Sequence, residues 1–108
     1  MTKSAIKPGT LDMLVLKTLS LGTLHGYAIA QHIERLSQEV LRVEQGSLYP
    51  ALERLQNEGL VKSKMGESPT GRKARYYSIT ASGRRRLGQE ITEYDTFLLA
   101  IERVLGRA

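Results

Sequence analysis

The chain has 108 residues, no Cys, no Trp and a formal net charge of +5. A domain of this length buries roughly two-thirds of the surface its unfolded chain exposes, which does not fit a two-domain enzyme with a deep cleft. With 41% hydrophobic residues the composition suits neither a membrane protein nor a disordered chain, and the absence of Cys excludes disulfides, thiolate zinc sites and thiol redox chemistry.

Residues 1–9, Met1-Thr2-Lys3-Ser4-Ala5-Ile6-Lys7-Pro8-Gly9, lack the apolar middle of a secretory signal and read as a flexible arm. No apolar run approaches the roughly 20 residues of a spanning helix, so a small, soluble, cytoplasmic domain is expected. Thr10 is placed to cap a first helix, with Asp12 in its first turn where the helix dipole favours an acid. Leu11, Met13, Leu14, Val15, Leu16, Leu19 and Leu21 make that helix apolar on nearly every side, as a core helix is, and Gly22 ends it. Gly26 opens a second helix whose Ile29, Ile33 and Leu36 form one stripe, with Gln31, Glu34 and Arg35 facing water. Residues 37–43 read as a connection.

A third helix spans Gln45 to Glu58 and ends at Gly59, burying Leu48, Leu52 and Leu55 at i, i+4, i+7 against Leu14, Ile29 and Ile33. Pro50 is tolerated in a first turn, where its missing N–H has no intrahelical partner, so regular helix is expected from about Ser47. Leu60–Lys64 and Arg75–Ile79 are strand candidates joined by a turn containing Gly66, Ser68, Pro69, Thr70 and Gly71, a hairpin with a basic tip. Residues 59–86 carry Lys62, Lys64, Arg72, Lys73, Arg75, Arg84, Arg85 and Arg86 against Glu67 alone, a local +7, whereas residues 1–58 balance six bases with six acids. Such a patch is either a solvated face or a seat for a polyanion, nucleic acid before anionic membrane. Thr80 caps a last helix reaching Leu105. Its Leu87, Ile91, Tyr94, Leu98, Ile101 and Leu105 step by alternating four and three, which is either a dimer seam or a face folded back on the core.

Three helices, a basic hairpin and a long helix give the fold class: mainly α with a small β-hairpin, a winged helix-turn-helix plus a long C-terminal helix. The domains divide as arm 1–9, winged-helix unit 10–80 and dimerisation helix 81–108. The third helix then enters a major groove. Its Gln45, Ser47, Tyr49 and Arg54, with Asn57, are the hydrogen-bonding candidates for base edges or phosphates, while Glu53 and Glu58 should be turned away from DNA. Tyr49 reads equally as packing or DNA contact. On the wing the candidates are Lys64, Arg72, Lys73 and Arg75. Arg84 is a further phosphate candidate, beside Arg85 and Arg86. Tyr76 and Tyr77 are neighbours on a strand and so point to opposite faces, one packing inside and one supporting the wing.

His25 and His32 lack the companions a metal site needs, and Ser4-Ala5-Ile6-Lys7 matches an S-x-x-K pattern without its companion motifs. No Walker A loop or G-x-G-x-x-G is present. No enzyme activity, metal or cofactor is expected.

The residues also resemble those of the PadR-like transcriptional regulators in their short form, with one C-terminal helix. The resemblance runs from about Thr10 to Leu105. It rests on the Leu-rich stretch 10–21, His25-Gly26-Tyr27-Ala28-Ile29, Gly46-Ser47-Leu48-Tyr49-Pro50-Ala51-Leu52-Glu53-Arg54-Leu55, Glu58-Gly59-Leu60-Val61, Gly71-Arg72-Lys73-Ala74-Arg75-Tyr76-Tyr77 and Ile79-Thr80-Ala81-Ser82-Gly83. It implies a bacterial repressor that binds an inverted-repeat operator as a homodimer joined through the C-terminal helix. Ser47, Leu48 and Tyr49 fall at the start of the recognition helix, Arg72, Lys73 and Arg75 on the wing, and Tyr27 at a phosphate-contacting position. Some relatives release DNA on binding planar aromatic compounds between protomers. Tyr94 stands where relatives can carry Trp, and its single ring offers less to stack on. The alternative is a protein–protein adaptor whose basic patch meets acidic partners or anionic lipid.

Overall fold

Leu11, Val15, Leu16 and Leu19 fall on one side of a helix and are all buried, which explains why the first apolar run folds as α1, Pro8–Ser20. The computed structural model of the chain describes residues 4–108. The next elements are α2 (Gly26–Leu36), α3 (Gln45–Asn57) and α4 (Ala81–Val104). The strands are β1 (Ser4–Ala5), β2 (Leu24–His25), β3 (Leu41–Arg42), β4 (Val61–Glu67) and β5 (Lys73–Ile79).

The start of the chain differs from the expectation. α1 begins two residues before Thr10, with Lys7 as an extended N-cap whose carbonyl accepts from Leu11 N at 2.9 Å. Proline at the first helical position has the right φ and lacks an N–H that would go unpaired there. Asp12 therefore lies beyond the first turn and does not serve the helix dipole. Residues 4–5 pair in parallel with β3, Ser4 against Leu41 and Ala5 against Arg42, so this part of the expected arm is tied to the fold. Met1 to Lys3 and the Ser4 side chain of the S-x-x-K pattern lie outside the described residues. The 37–43 connection is correspondingly more ordered than its weak periodicity suggests. It turns through Gln38 and Glu39, both with left-handed φ, and delivers β3 to β1.

One core holds the head together. Ile29 and Ile33 of α2, and Leu48, Ala51, Leu52 and Leu55 of α3, are buried with the α1 stripe, Val43, Leu60, Val61, Tyr77 and Leu87, while Leu14 packs against them half-buried. Each fully buried Leu contributes about 1.5–3 kcal/mol. Leu36 and Leu21, which the stripes placed inward, are 72% and 63% exposed because each lies at or just past the end of its helix. Regular helix in α3 starts at Gln45, not near Ser47, so Pro50 sits in its second turn. The amides of Ser47 and Leu48 both bond to the Glu44 carbonyl, and the proline removes only the bond that would have ended on Gly46.

The hairpin is longer than its apolar residues indicate. β4 and β5 pair antiparallel over seven residues each, from Val61 against Ile79 to Glu67 against Lys73. The tip is closed by Ser68 N to the Arg72 carbonyl at 2.7 Å and Gly71 N to the Ser68 carbonyl at 2.9 Å. β2 adds a third strand, giving the order β2-β5-β4. At two residues it is too short to leave a period in the sequence.

Thr80 caps α4 as expected, its side chain accepting from Gly83 N at 3.0 Å. A Cβ on Gly83 would overlap the Leu60 carbonyl oxygen and lie 2.7 Å from Ile79 Cγ1. Backbone and a packed side chain cannot yield as a flexible chain end can. Gly83→Ala should therefore lower stability by about 2–3 kcal/mol, read as a downward shift in thermal midpoint, whereas Gly88→Ala, in open space, should not.

Candidate nucleic-acid interface

The buried ridge of α3 determines where its polar residues go. With Leu48, Ala51, Leu52 and Leu55 inward, the 100° step leaves Gly46, Pro50, Glu53 and Asn57 pointing outward. Gln45, Tyr49 and Gln56 line one flank, and Ser47, Arg54 and Glu58 the other. The first two turns, Gln45 to Pro50, are exposed apart from Leu48 and hold no acid. In helix-turn-helix proteins it is this end of the recognition helix that meets base edges. Glu53 is exposed on the outward ridge, one turn beyond this acid-free start.

The candidates on α3 have different surroundings. Gln45 and Ser47 are exposed. Tyr49 both packs and shows: its ring lies against the start of α2, where a Cβ on Gly26 would come within 2.9 Å of Cε1 and Oη, yet it is 44% exposed. Tyr27, the next residue of α2, is exposed beside it. Arg54 is committed elsewhere, its Nη2 donating to Asp12 Oδ1 of α1 at 2.7 Å. The sequence offers Arg54 as a DNA contact; in the structure its guanidinium is paired with Asp12 while the side chain stays 48% exposed.

On the hairpin, Lys64, Arg72, Lys73 and Arg75 are all exposed. Arg75 is tied toward α3: its Nη1 donates to Ser63 Oγ at 3.1 Å, and that hydroxyl donates to Gln56 Oε1 at 2.8 Å. Gln56 was not singled out from sequence, since its role depends on a strand passing beside the helix. Arg72 and Lys73 stand at the tip without such ties. The two tyrosines divide as the strand period requires. Tyr77 is buried and Tyr76 lies on the other face, its hydroxyl donating to the Glu67 carbonyl at 2.6 Å. His25 packs edge-on to Tyr76 with ring centroids 5.5 Å apart, and its Nδ1 accepts from Ala28 N as the cap of α2.

The arginine triplet divides too. Arg84 is exposed, Arg85 donates to Ser82 Oγ, and Arg86 Nη1 lies 3.6 Å from Glu58 Oε1 and 3.9 Å from Glu90 Oε1. Asp12, Arg54, Glu58, Arg86 and Glu90 thus meet where α1, α3 and α4 converge. Burial raises the Asp12 carboxyl above its ordinary value, against the lowering pull of Arg54, and burial raises Glu90 against Arg86. As pH falls the folded chain takes up these two protons before the unfolded chain does. The stability linked to them is therefore present below ordinary carboxylate values and lost as pH rises through the raised ones. In thermal unfolding from pH 7 to 4, the wild-type chain should gain on Asp12→Asn as the pH drops. The reverse trend would mean that the Arg54 pair outweighs burial.

Beyond the head, the apolar face of α4 is largely exposed, with Tyr94 and Phe97 across a groove from the start of α1. Leu87 is buried, but Ile91, Tyr94, Leu98, Ile101 and Leu105 are all exposed, so the repeat is not folded back on the core. Phe97 and Val104, at 63% and 86% exposure, widen the face beyond the expected seam. Their spacing with Tyr94 and Ile101 forms a second ladder of threes and fours that could have been read in the sequence. Among the described residues no helix is long and apolar enough to cross a membrane, and no cluster of three metal-ligating side chains occurs.

A three-helix head with a polar, acid-free start to its third helix and a basic antiparallel wing defines a winged-helix DNA-binding protein of the transcription-regulator class. The chain belongs to the PadR-like family of transcriptional regulators, whose model matches residues 15–89; such proteins are regulators, not enzymes. It is similar to a transcriptional regulator from Clostridium thermocellum, at 29% identity over 88% of this chain and 92% of that one, with a TM-score of 0.81. The protein smu.1704 from Streptococcus mutans UA159 matches 99% of this chain and 97% of its own at 26% identity, TM-score 0.83. A PadR family transcription regulator from Clostridium difficile R20291 matches 88% and 97% at 26% identity, TM-score 0.76.

Proposed function

We propose that the chain is a homodimeric repressor that binds an inverted-repeat operator in the bacterial cytoplasm. The observation that carries this reading is the uncovered apolar face of α4 from Ile91 to Leu105. A helix of 24 residues, about 36 Å long, keeps such a face in water only until a second copy covers it. Two heads related by a two-fold axis then read two half-sites about one helical turn apart, near 34 Å.

On this reading Gln45, Ser47 and Tyr49 contact base edges, Tyr27 and Arg84 approach phosphates, and Lys64, Arg72, Lys73 and Arg75 supply sequence-independent attraction through counterion release. Residues 10–80 form the reading unit and 81–108 the dimerisation helix. A dimer seated on a promoter excludes other proteins from the same DNA, so repression is the simplest outcome. A groove of about 360 Å³ between Gly9, Thr10 and Met13 of α1 and Tyr94 and Phe97 of α4 is where a planar aromatic effector would stack. The test has two parts. Sedimentation equilibrium should give twice the 12.0 kDa chain mass, and selection from random-sequence duplexes should return an inverted repeat. A monomer, or a selected pool without symmetry, would overturn the reading.

A further inference from the structure

Asp12 is the most enclosed charge in the cluster between α1, α3 and α4, its side chain 18% exposed against 48% for its partner Arg54. The two form the shortest ion pair among the described residues. Arg86 sits between Glu58, the C-cap of α3, and Glu90, one turn further along α4. The recognition helix is therefore held by charge at two points, at Arg54 by α1 and at Glu58 by the root of α4. Ion pairs with an exposed member add little stability, and burial disfavours the ionised forms of Asp12 and Glu90 more than their partners favour them. What these contacts provide is direction: a hydrogen bond ties Arg54 of α3 to Asp12 Oδ1 of α1, and a charge contact at 3.6 Å sets Glu58 of α3 opposite Arg86 of α4.

We propose that Asp12 and Arg86, acting through Arg54 and Glu58, are positioning residues that fix the recognition helix at a set angle to the root of α4. They thereby determine which half-site spacing the dimer accepts. This rests on the dimer-on-inverted-repeat reading above. Asp12 is an acid and attracts no phosphate, so its removal acts on DNA reading through the charges it faces, Arg54 first and then Glu58 and Arg86. Each base pair inserted between half-sites moves one head by about 3.4 Å along the duplex and rotates it. A rigid junction rejects that displacement and a loosened one tolerates it.

The experiment uses the full chain, wild type, Asp12→Asn and Arg86→Gln. The probes are the inverted repeat recovered by selection with wild type, the same repeat lengthened or shortened by one and two base pairs, and a duplex with one half-site. Wild type should bind the altered spacings at least tenfold more weakly than the selected one. In both variants that penalty should shrink at least threefold, while dimer mass, single-half-site affinity and the selected-spacing optimum's salt dependence stay as in wild type. Thermal midpoint should hold or rise in Asp12→Asn. An unchanged spacing profile in both variants overturns the proposal. So does a drop in single-half-site affinity in both, which would make the cluster part of the DNA-binding surface or of the fold. If wild type selects no inverted repeat, the parent reading fails first, and this inference falls with it.

Discussion

Leu98→Asp should yield a folded monomer that no longer holds operator DNA. Leu98 lies mid-way along the uncovered part of α4, flanked on the same face by Tyr94 and Ile101. A dimer buries the exposed 41% of two copies, each worth about 1 kcal/mol, and the substitution places two unpaired carboxylates in that seam. Since about 1.4 kcal/mol is a factor of ten, self-association should weaken by well over a hundredfold. Far-UV circular dichroism and thermal midpoint should change little, because Leu98 is exposed in the single chain and supports nothing in its core. Leu99→Asp is the control. Leu99 is slightly more exposed, but one residue on, a 100° turn away from the seam, and its substitution should leave the dimer intact. A monomeric Leu98→Asp that still bound operator with wild-type affinity would remove the two-headed mechanism.

Replacing Arg72 and Lys73 together with Ala should weaken binding to every duplex by a similar factor. Both stand at the exposed tip of the β4–β5 hairpin, and neither is held by the hydrogen bonds that tie Arg75 toward α3. Each phosphate neutralised contributes about 0.9 to the slope of log affinity against log salt. Two side chains on two wings should therefore flatten that slope by about 3 to 4 units, with a loss of roughly tenfold or more at moderate salt. Sequence preference should persist, because the first turns of α3 are untouched. An unchanged slope would exclude the wing tip from phosphate contact.

The contrast between these substitutions and Arg54 shows how far the sequence could be read. Periodicity located α2 and α3 to within a residue or so, because Ile29, Ile33, Leu48, Leu52 and Leu55 are core residues whose spacing records the helix. The Thr80 cap and the opposite facing of Tyr76 and Tyr77 follow from local rules. The two-residue strands β1, β2 and β3 left no such record. They exist because distant segments meet, and pairing of that kind is not written in a period. Arg54 belongs to the same class. Its residue type and spacing fit a DNA contact, and its direction was decided by Asp12, 42 residues away in sequence. Pro50 misled for a different reason: the helix tolerates it in the second turn because only one hydrogen bond is forfeited.

Sequence-selective DNA binding is the property that the proposed repressor cannot lack. Binding of the full chain to a duplex covering its own upstream region should be compared with binding to a shuffled duplex of equal length, across a salt series. A preference of about a thousandfold or more for the upstream duplex, with affinity for both falling steeply as salt rises, is the predicted result. Equal affinity for the two at every salt concentration, persisting when genomic fragments replace the upstream duplex, would contradict it. The basic wing would then bind polyanions at large, and the adaptor alternative would replace the repressor.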